Sequence, residues 1–182
     1  NIIDLVPIII GMPTGLKQSS SVVSIGFNAT ETAANTFQES SIDLNLSPLD
    51  REVFVVLAIN LDPFTPDLKP GTNTQVSSSL TTTSQTAVAN LSNSNCLAAA
   101  QNIIKGGTDT SDVAVAFQTL GTETPPSTLE YIGIIATNDF FVQIEGAANL
   151  SAKAVNGKLY GYRAVASADI YAALVQSEVL SA

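Results

Sequence analysis

The sequence predicts an all-β domain: two antiparallel sheets packed as a β-sandwich, with two short helices added. Three observations carry this. Short runs such as Ser41–Leu46 alternate apolar and polar residues with the two-residue period of a half-buried strand. Turn residues punctuate the runs, at Ser47-Pro48-Leu49-Asp50, Asp62-Pro63, Pro70-Gly71, Asn138-Asp139 and Asn156-Gly157. The length, 182 residues, is enough to bury one core without disulfide or metal.

The chain opens on an apolar arm, assigned to residues 1–16, ahead of one sandwich domain over residues 17–182. Ile2, Ile3, Leu5, Val6, Ile8, Ile9 and Ile10 put seven large aliphatics into nine positions. Asp4 and Pro7 interrupt them, and the segment lacks the basic start and small-residue cleavage site of a signal peptide. No run reaches the roughly 18 apolar residues of a membrane span. Pro7 lacks a backbone donor and suits an edge or extended arm, with Gly11-Met12-Pro13-Thr14-Gly15 following as a hinge would. So much apolar surface has to be covered. Two covers stay open: the arm folds back as an edge strand of its own sandwich, or it docks on a neighbouring subunit or a membrane-facing layer.

Strands follow in order. Val22–Phe27 is the first, and Ser41–Leu46 the second, with Ile42, Leu44 and Leu46 on one face. Glu52–Leu61 is apolar on both faces, so Val53–Leu61 is expected to be a central strand covered on both sides. Asp62–Gly71 is a long proline-containing connection. Gln75–Ser84 is rich in Thr, Ser and Val and reads as a strand with a hydroxyl-covered outer face. Ser94 then caps a helix whose Cys96, Leu97, Ala100, Ile103 and Ile104 share a face, closed by Lys105-Gly106-Gly107. Further strands are expected at Val113–Leu120, Leu129–Thr137, Phe140–Glu145, Ser151–Val155 and Lys158–Ala166. Asn156-Gly157 reads as a type I′ hairpin turn, whose two residues must tolerate positive φ. Ser167 caps the second helix, with Ile170, Leu174 and Ser177 in one stripe beside Tyr171, Val175 and Val179.

The chemistry is limited by what is missing. With no histidine there is no Ser-His-Asp or Cys-His machinery and no histidine metal ligand. Lys and Arg total 7 against 16 acids, a net charge of −9, which disfavours nucleic-acid binding. The lone Cys96 reads as core packing rather than a reactive thiol. Asp109 and Asp112, in the Gly106–Asp112 loop, could offer oxygen ligands to calcium, but their spacing is not that of an EF-hand. An ordinary polar turn is the expectation there, and Asp62 with Asp67 forms a weaker pair of the same kind. Tyr160 and Tyr162 alternate on one strand; a subunit contact is preferred to a small ligand platform. Gly11–Lys17 lacks the spacing of a phosphate loop. The Asn-x-Ser/Thr triplets at Asn28, Asn45, Asn90 and Asn149 are of the kind that a Ser/Thr/Asn-rich chain contains by chance. No catalytic residue, cofactor or metal is expected.

What remains concerns surfaces. The chain has few charges, many Ser, Thr, Asn and Ala, an apolar N-terminal arm, helices between strands and the proline-containing loop Asp62–Gly71. In these features it resembles the jelly-roll coat proteins of icosahedral viruses. The resemblance implies that the sandwich is a jelly roll and the protein a non-enzymatic virion subunit. It would assemble into a shell with copies of itself and other virion proteins, in a particle built inside the host cell. One departure matters: many small RNA-virus coat proteins carry an Arg/Lys-rich arm, whereas Asn1–Ser21 contains only Lys17. The isolated subunit is therefore expected not to bind nucleic acid tightly. A competing class is a surface-fibre or pilin-like subunit that donates its N-terminal strand to a neighbour's sheet; a carbohydrate-binding sandwich is disfavoured by the absence of Trp and the 4 Tyr.

Overall fold

The computed structural model describes residues 14–125 and 130–180, so the aliphatic arm Ile2–Ile10 lies outside the described residues. Its strands are β1 (Leu16–Gln18), β2 (Val23–Thr30), β3 (Gln38–Asp43), β4 (Glu52–Pro63), β5 (Asn73–Thr81) and β6 (Cys96–Lys105). They continue as β7 (Val115–Thr119), β8 (Gly121–Glu123), β9 (Gly133–Ile135), β10 (Asp139–Ala147) and β11 (Ala154–Ala166), and the helix α1 (Ala168–Leu180) follows. One sheet centres on the β11·β4 pair; β1 and β2 share the far side of β11, and β8 and β9 the far side of β4. The other sheet runs β3-β10-β5-β6-β7, and the pairing in both is antiparallel.

The order has a simple logic. β5 pairs with β6; around them β4 pairs with β8 and β9, then β3 with β10, then β2 with β11. Successive nested pairs alternate between the two sheets. The chain therefore behaves as a long double ribbon, doubled back between β5 and β6 and wound around one core.

That core is built from inward-facing residues of both sheets. Phe54, Val56, Ile59 and Leu61 of β4 meet Leu80, Phe140, Val142, Ile144 and Leu159, all within 3% of complete burial. The Phe27 ring meets Phe140 edge-on, with centroids 5.6 Å apart. Val53 and Val55 face the opposite way, into a second cluster with Tyr162, Ala164 and Ala166 that Ile170, Tyr171, Leu174 and Val175 of α1 cover. β4 is thus apolar on both faces because both are covered, as its sequence predicts. The β4 register slips by one residue opposite Tyr160/Gly161, a bulge that leaves Leu57 half-buried. The helix begins as expected, the Ser167 hydroxyl accepting the Ile170 N–H at 3.4 Å. Near its end the buried Glu178 accepts the Ala136 N–H at 2.7 Å, tying α1 to the sheet.

Four expectations are corrected. Cys96–Lys105 is not a helix but the strand β6, paired with β5 on one side and β7 on the other. Cys96, Ala98, Ala100 and Asn102 alternate into the interior, where small side chains let the opposite sheet come close. A Cβ placed on Gly121 would lie 2.6 Å from the Ala100 Cβ, leaving no room for the girth of a helix. Asn156-Gly157 is not a hairpin but the interior of β11, with Gly157 opposite Phe27 on one side and Leu61 on the other. Its glycine is required by crowding: a Cβ there would stand 2.5 Å from the Asn60 carbonyl oxygen and 2.6 Å from the Phe27 ring. The second strand is β3, ending at Asp43, and the chain turns at Asn45 (φ 53°), though Leu44 and Leu46 are still buried. The expected Leu129–Thr137 strand is reduced to β9, Leu129 itself lying outside the described residues.

Candidate functional site

The residues with chemical potential are dispersed, and most are bound into the fold. Cys96 is buried, its Sγ 3.3 Å from the Ala98 carbonyl oxygen, and burial pushes its thiol pKa up. In the Gly106–Asp112 loop, the Asp112 Oδ2 accepts the backbone N–H groups of Thr108 at 3.0 Å and Asp109 at 3.1 Å. Asp109 Oδ1 accepts the Ser111 N–H at 3.2 Å. Each carboxylate closes its own turn. Tyr162 is buried beneath α1, whereas Tyr160 keeps 37% exposure, so the two rings do not form one exposed platform.

Asp62 and Asp67 also part company. Asp62 is exposed on β4 opposite Asn156, while Asp67 receives the Lys153 Nζ at 2.7 Å. It also accepts the backbone N–H groups of Leu150 at 2.8 Å and Ser151 at 3.1 Å. The Lys153 hydrogen bond, helped by these amides, holds the Asp67 carboxyl at about 2, below its ordinary 3.8. Next to it, the buried Glu31 accepts three backbone N–H groups: Thr36 at 2.8 Å, Gly146 at 3.0 Å and Lys153 at 2.8 Å. Asn149 completes the corner, donating to the Gln75 carbonyl at 2.8 Å and accepting the Asp67 N–H at 3.0 Å.

The outer face of the β3-β10-β5-β6-β7 sheet carries a second polar network that no sequence motif marks. The fully buried Gln143 donates to Glu39 Oε2 and to the Thr81 hydroxyl, both at 2.8 Å, and accepts the Ser79 hydroxyl at 2.6 Å. Glu39 also takes the Ser84 hydroxyl at 2.6 Å and the Gln85 N–H at 2.8 Å, and Ser79 Oγ takes the Ala89 N–H at 3.0 Å. The connection after β5 is therefore laid over the sheet, and the hydroxyls expected to face water are covered. Beside it opens a cleft of about 650 Å³, lined by Gln75, Ser77, Gln101, Glu145 and Leu91.

The remaining feature is the β7 edge. All five residues of β7 are exposed, with Val115 at 50% and Phe117 at 54%. Val113 and Leu120, which flank the strand, are exposed as well. β7 is the last strand of its sheet, and from Val113 to Thr122 the sequence has no charge. Natural edge strands are ordinarily guarded by lysine, proline or a bulge. A groove of about 430 Å³ runs between Ala116–Gln118, Asn102–Ile104 and the Pro63–Pro66 loop. At its base Asn102 donates to the Pro63 carbonyl at 3.0 Å, and its buried Oδ1 has no partner among the described residues. The uncharged alternation of Val113, Val115 and Phe117 was legible as a strand; its place at the rim of a sheet was not.

No group of three or more Cys, Asp or Glu side chains suited to a metal occurs among the described residues. None of their helices is long and apolar enough to cross a membrane. No protein-family model matches the chain, and no curated protein matches it. Among solved structures it is similar to a chain from Desmodium yellow mottle tymovirus, with 12% identity and a TM-score of 0.30. That match covers 86% of this chain and 95% of the other, a likeness too distant to bear on function.

Proposed function

We propose that the chain is a capsid subunit: a jelly-roll structural protein that assembles with copies of itself into the shell of a virion inside the host cell. The observation that carries this reading is the strand order. Four nested antiparallel pairs alternate between two sheets, an order that supports reading the sandwich as a jelly roll. The step from fold to shell is an analogy, supported by sides poor in charge and by an apolar edge at β7 that is bare among the described residues. The reading includes no catalysis and no tight nucleic-acid binding by the isolated subunit, for Lys153 and Arg163, two of the seven basic residues, are held by Asp67 and Glu52. It assigns the arm of Ile2, Ile3, Leu5, Val6, Ile8, Ile9 and Ile10 to assembly, against a neighbouring copy or a membrane-facing layer.

A fibre subunit built by strand donation is the second class. It is less well supported, since all four nested pairs are completed by the chain's own strands. Negative-stain microscopy of the full chain separates these. Closed shells are expected; filaments favour the fibre, and a protein that stays monomeric at every concentration overturns both. A gel shift at physiological salt is expected to show no complex at micromolar protein, and salt-sensitive binding below that would overturn the nucleic-acid part.

A further inference from the structure

We infer that the β7 edge is a strand acceptor, and that its occupant is the segment Ile2–Ile10 of a second copy of this chain. The inference rests on the assembly reading and deepens it by naming the two surfaces that meet. The acceptor side is the edge of β7, bare among the described residues, with Val113, Val115 and Phe117 projecting from alternate positions. The donor side follows from sequence parity. In an extended Ile2–Ile10, Ile3, Leu5, Pro7 and Ile9 share one face, and Asp4 lies on the other. An added edge strand leaves every second N–H unpaired on its outer side, so Pro7, which lacks one, fits if its parity points outward. Cross-strand contact of Leu5 and Ile9 with the Val115/Phe117 face then covers the patch, while Asp4 stays on the side of Ala116 and Gln118.

Geometry excludes the chain's own arm as occupant. β1, from which the arm leads off, lies beyond β11, on the side of the sandwich where β2 packs over β3 and β10. β7 lies beyond β6, which faces β4 and β8 across the core. Three strand spacings of about 4.8 Å and a sheet separation of about 10 Å put the two edges roughly 17 Å apart in a straight line. The packed core blocks that line. The five steps from Ile10 to Gly15 span at most about 18 Å fully extended, and Gly15 itself turns at φ 82°. Too little chain is left to go around the sandwich and still lay Ile2–Ile10 along β7. A donor and an acceptor on different patches make a heterologous contact, the kind that closes into rings.

Two measurements on the full chain test this. With p-benzoylphenylalanine in place of Phe117, irradiation of mixed isotope-labelled and unlabelled protein should cross-link position 117 to residues 1–13 of the other chain. Cross-links confined within one chain, to another surface, or absent would overturn the inference. The second variant, Val115→Glu with Phe117→Glu, sets two charges against the apolar Leu5/Ile9 face of the incoming strand and should raise the concentration needed for assembly about tenfold or more. Normal shells from that variant would sink the inference while leaving the capsid reading intact. Intermolecular cross-links without closed shells would do the reverse. Should the double variant melt early, the cross-link identity alone decides.

Discussion

The corner of Glu31, Asp67, Asn149 and Lys153 and the β7 edge are opposites. At the corner, buried polar groups find their partners inside the chain, Glu31 alone serving three backbone donors. Along β7, apolar side chains meet solvent and the outer edge of the strand is bare among the described residues. A polar group is tolerated inside when it is bonded, and an apolar strand is tolerated outside when something covers it. By that standard the corner is finished within one copy of the chain, and the proposed assembly would finish the β7 edge. The contrast is testable from either end, because changes at the corner should cost stability and changes at the edge should not.

The largest effect is expected at Glu31. Glu31→Ala strands the buried N–H groups of Gly146 and Lys153, for a cost of about 3–5 kcal/mol in denaturant unfolding. A loss below about 1 kcal/mol would mean that the corner is not held as described. Asp67 gives the same corner a pH signature. Its carboxyl is depressed from 3.8 to about 2, so its contribution is fully present above 3.8 and is lost as pH falls through 2. Asp67→Asn should therefore differ from the native chain by a constant amount near neutrality, with the gap closing between about pH 4 and pH 2. Urea midpoints across that range check it, and a gap that does not depend on pH refutes the ion pair as its source.

The sequence showed the sandwich more readily than its wiring. The run Val53-Phe54-Val55-Val56 announced a strand buried on both faces, because a short β-branched run that is apolar at both parities suits little else. Cys96–Lys105 misled because alanine satisfies both periods: Ala98 and Ala100 are inward at a spacing of two, yet Ala100 with Ile103 and Ile104 also makes a helical face. What chose the strand was pairing with β5 and β7, a long-range fact absent from any local window. Asn156-Gly157 misled for a different reason, since glycine is demanded by positive φ and by close approach alike, and here the Phe27 ring and Asn60 carbonyl demand it. The Gln143 network was hidden because nothing local says that residues after β5 will cover it. Of the candidate site, the uncharged Val113–Leu120 run was legible as a strand and the rim position of β7 was not, while the aliphatic arm lies outside the described residues. Asn156→Thr discriminates between turn and strand. A type I′ turn would lose stability with Thr, whereas the exposed mid-strand position should gain up to about 0.5 kcal/mol in thermal or urea unfolding.

The smallest stability effect is expected where the largest effect on association is. Phe117 keeps about half of its surface in water in the single copy, and β7 makes its ladder through backbone groups paired with β6. Phe117→Glu leaves that ladder intact and removes little buried area, so under monomeric conditions its unfolding free energy should stay within about 0.5 kcal/mol of the native chain. Strand propensity works slightly against glutamate, and the loss of an exposed ring slightly for solubility, but both are minor beside the cost of breaking the corner. A loss of about 2 kcal/mol or more, on the scale of a truncated core residue, would show that Phe117 is packed as core. The β7 edge would then be a finished surface like the corner, and the contrast between the two regions would collapse. An unchanged monomer that no longer assembles is the outcome that sharpens it.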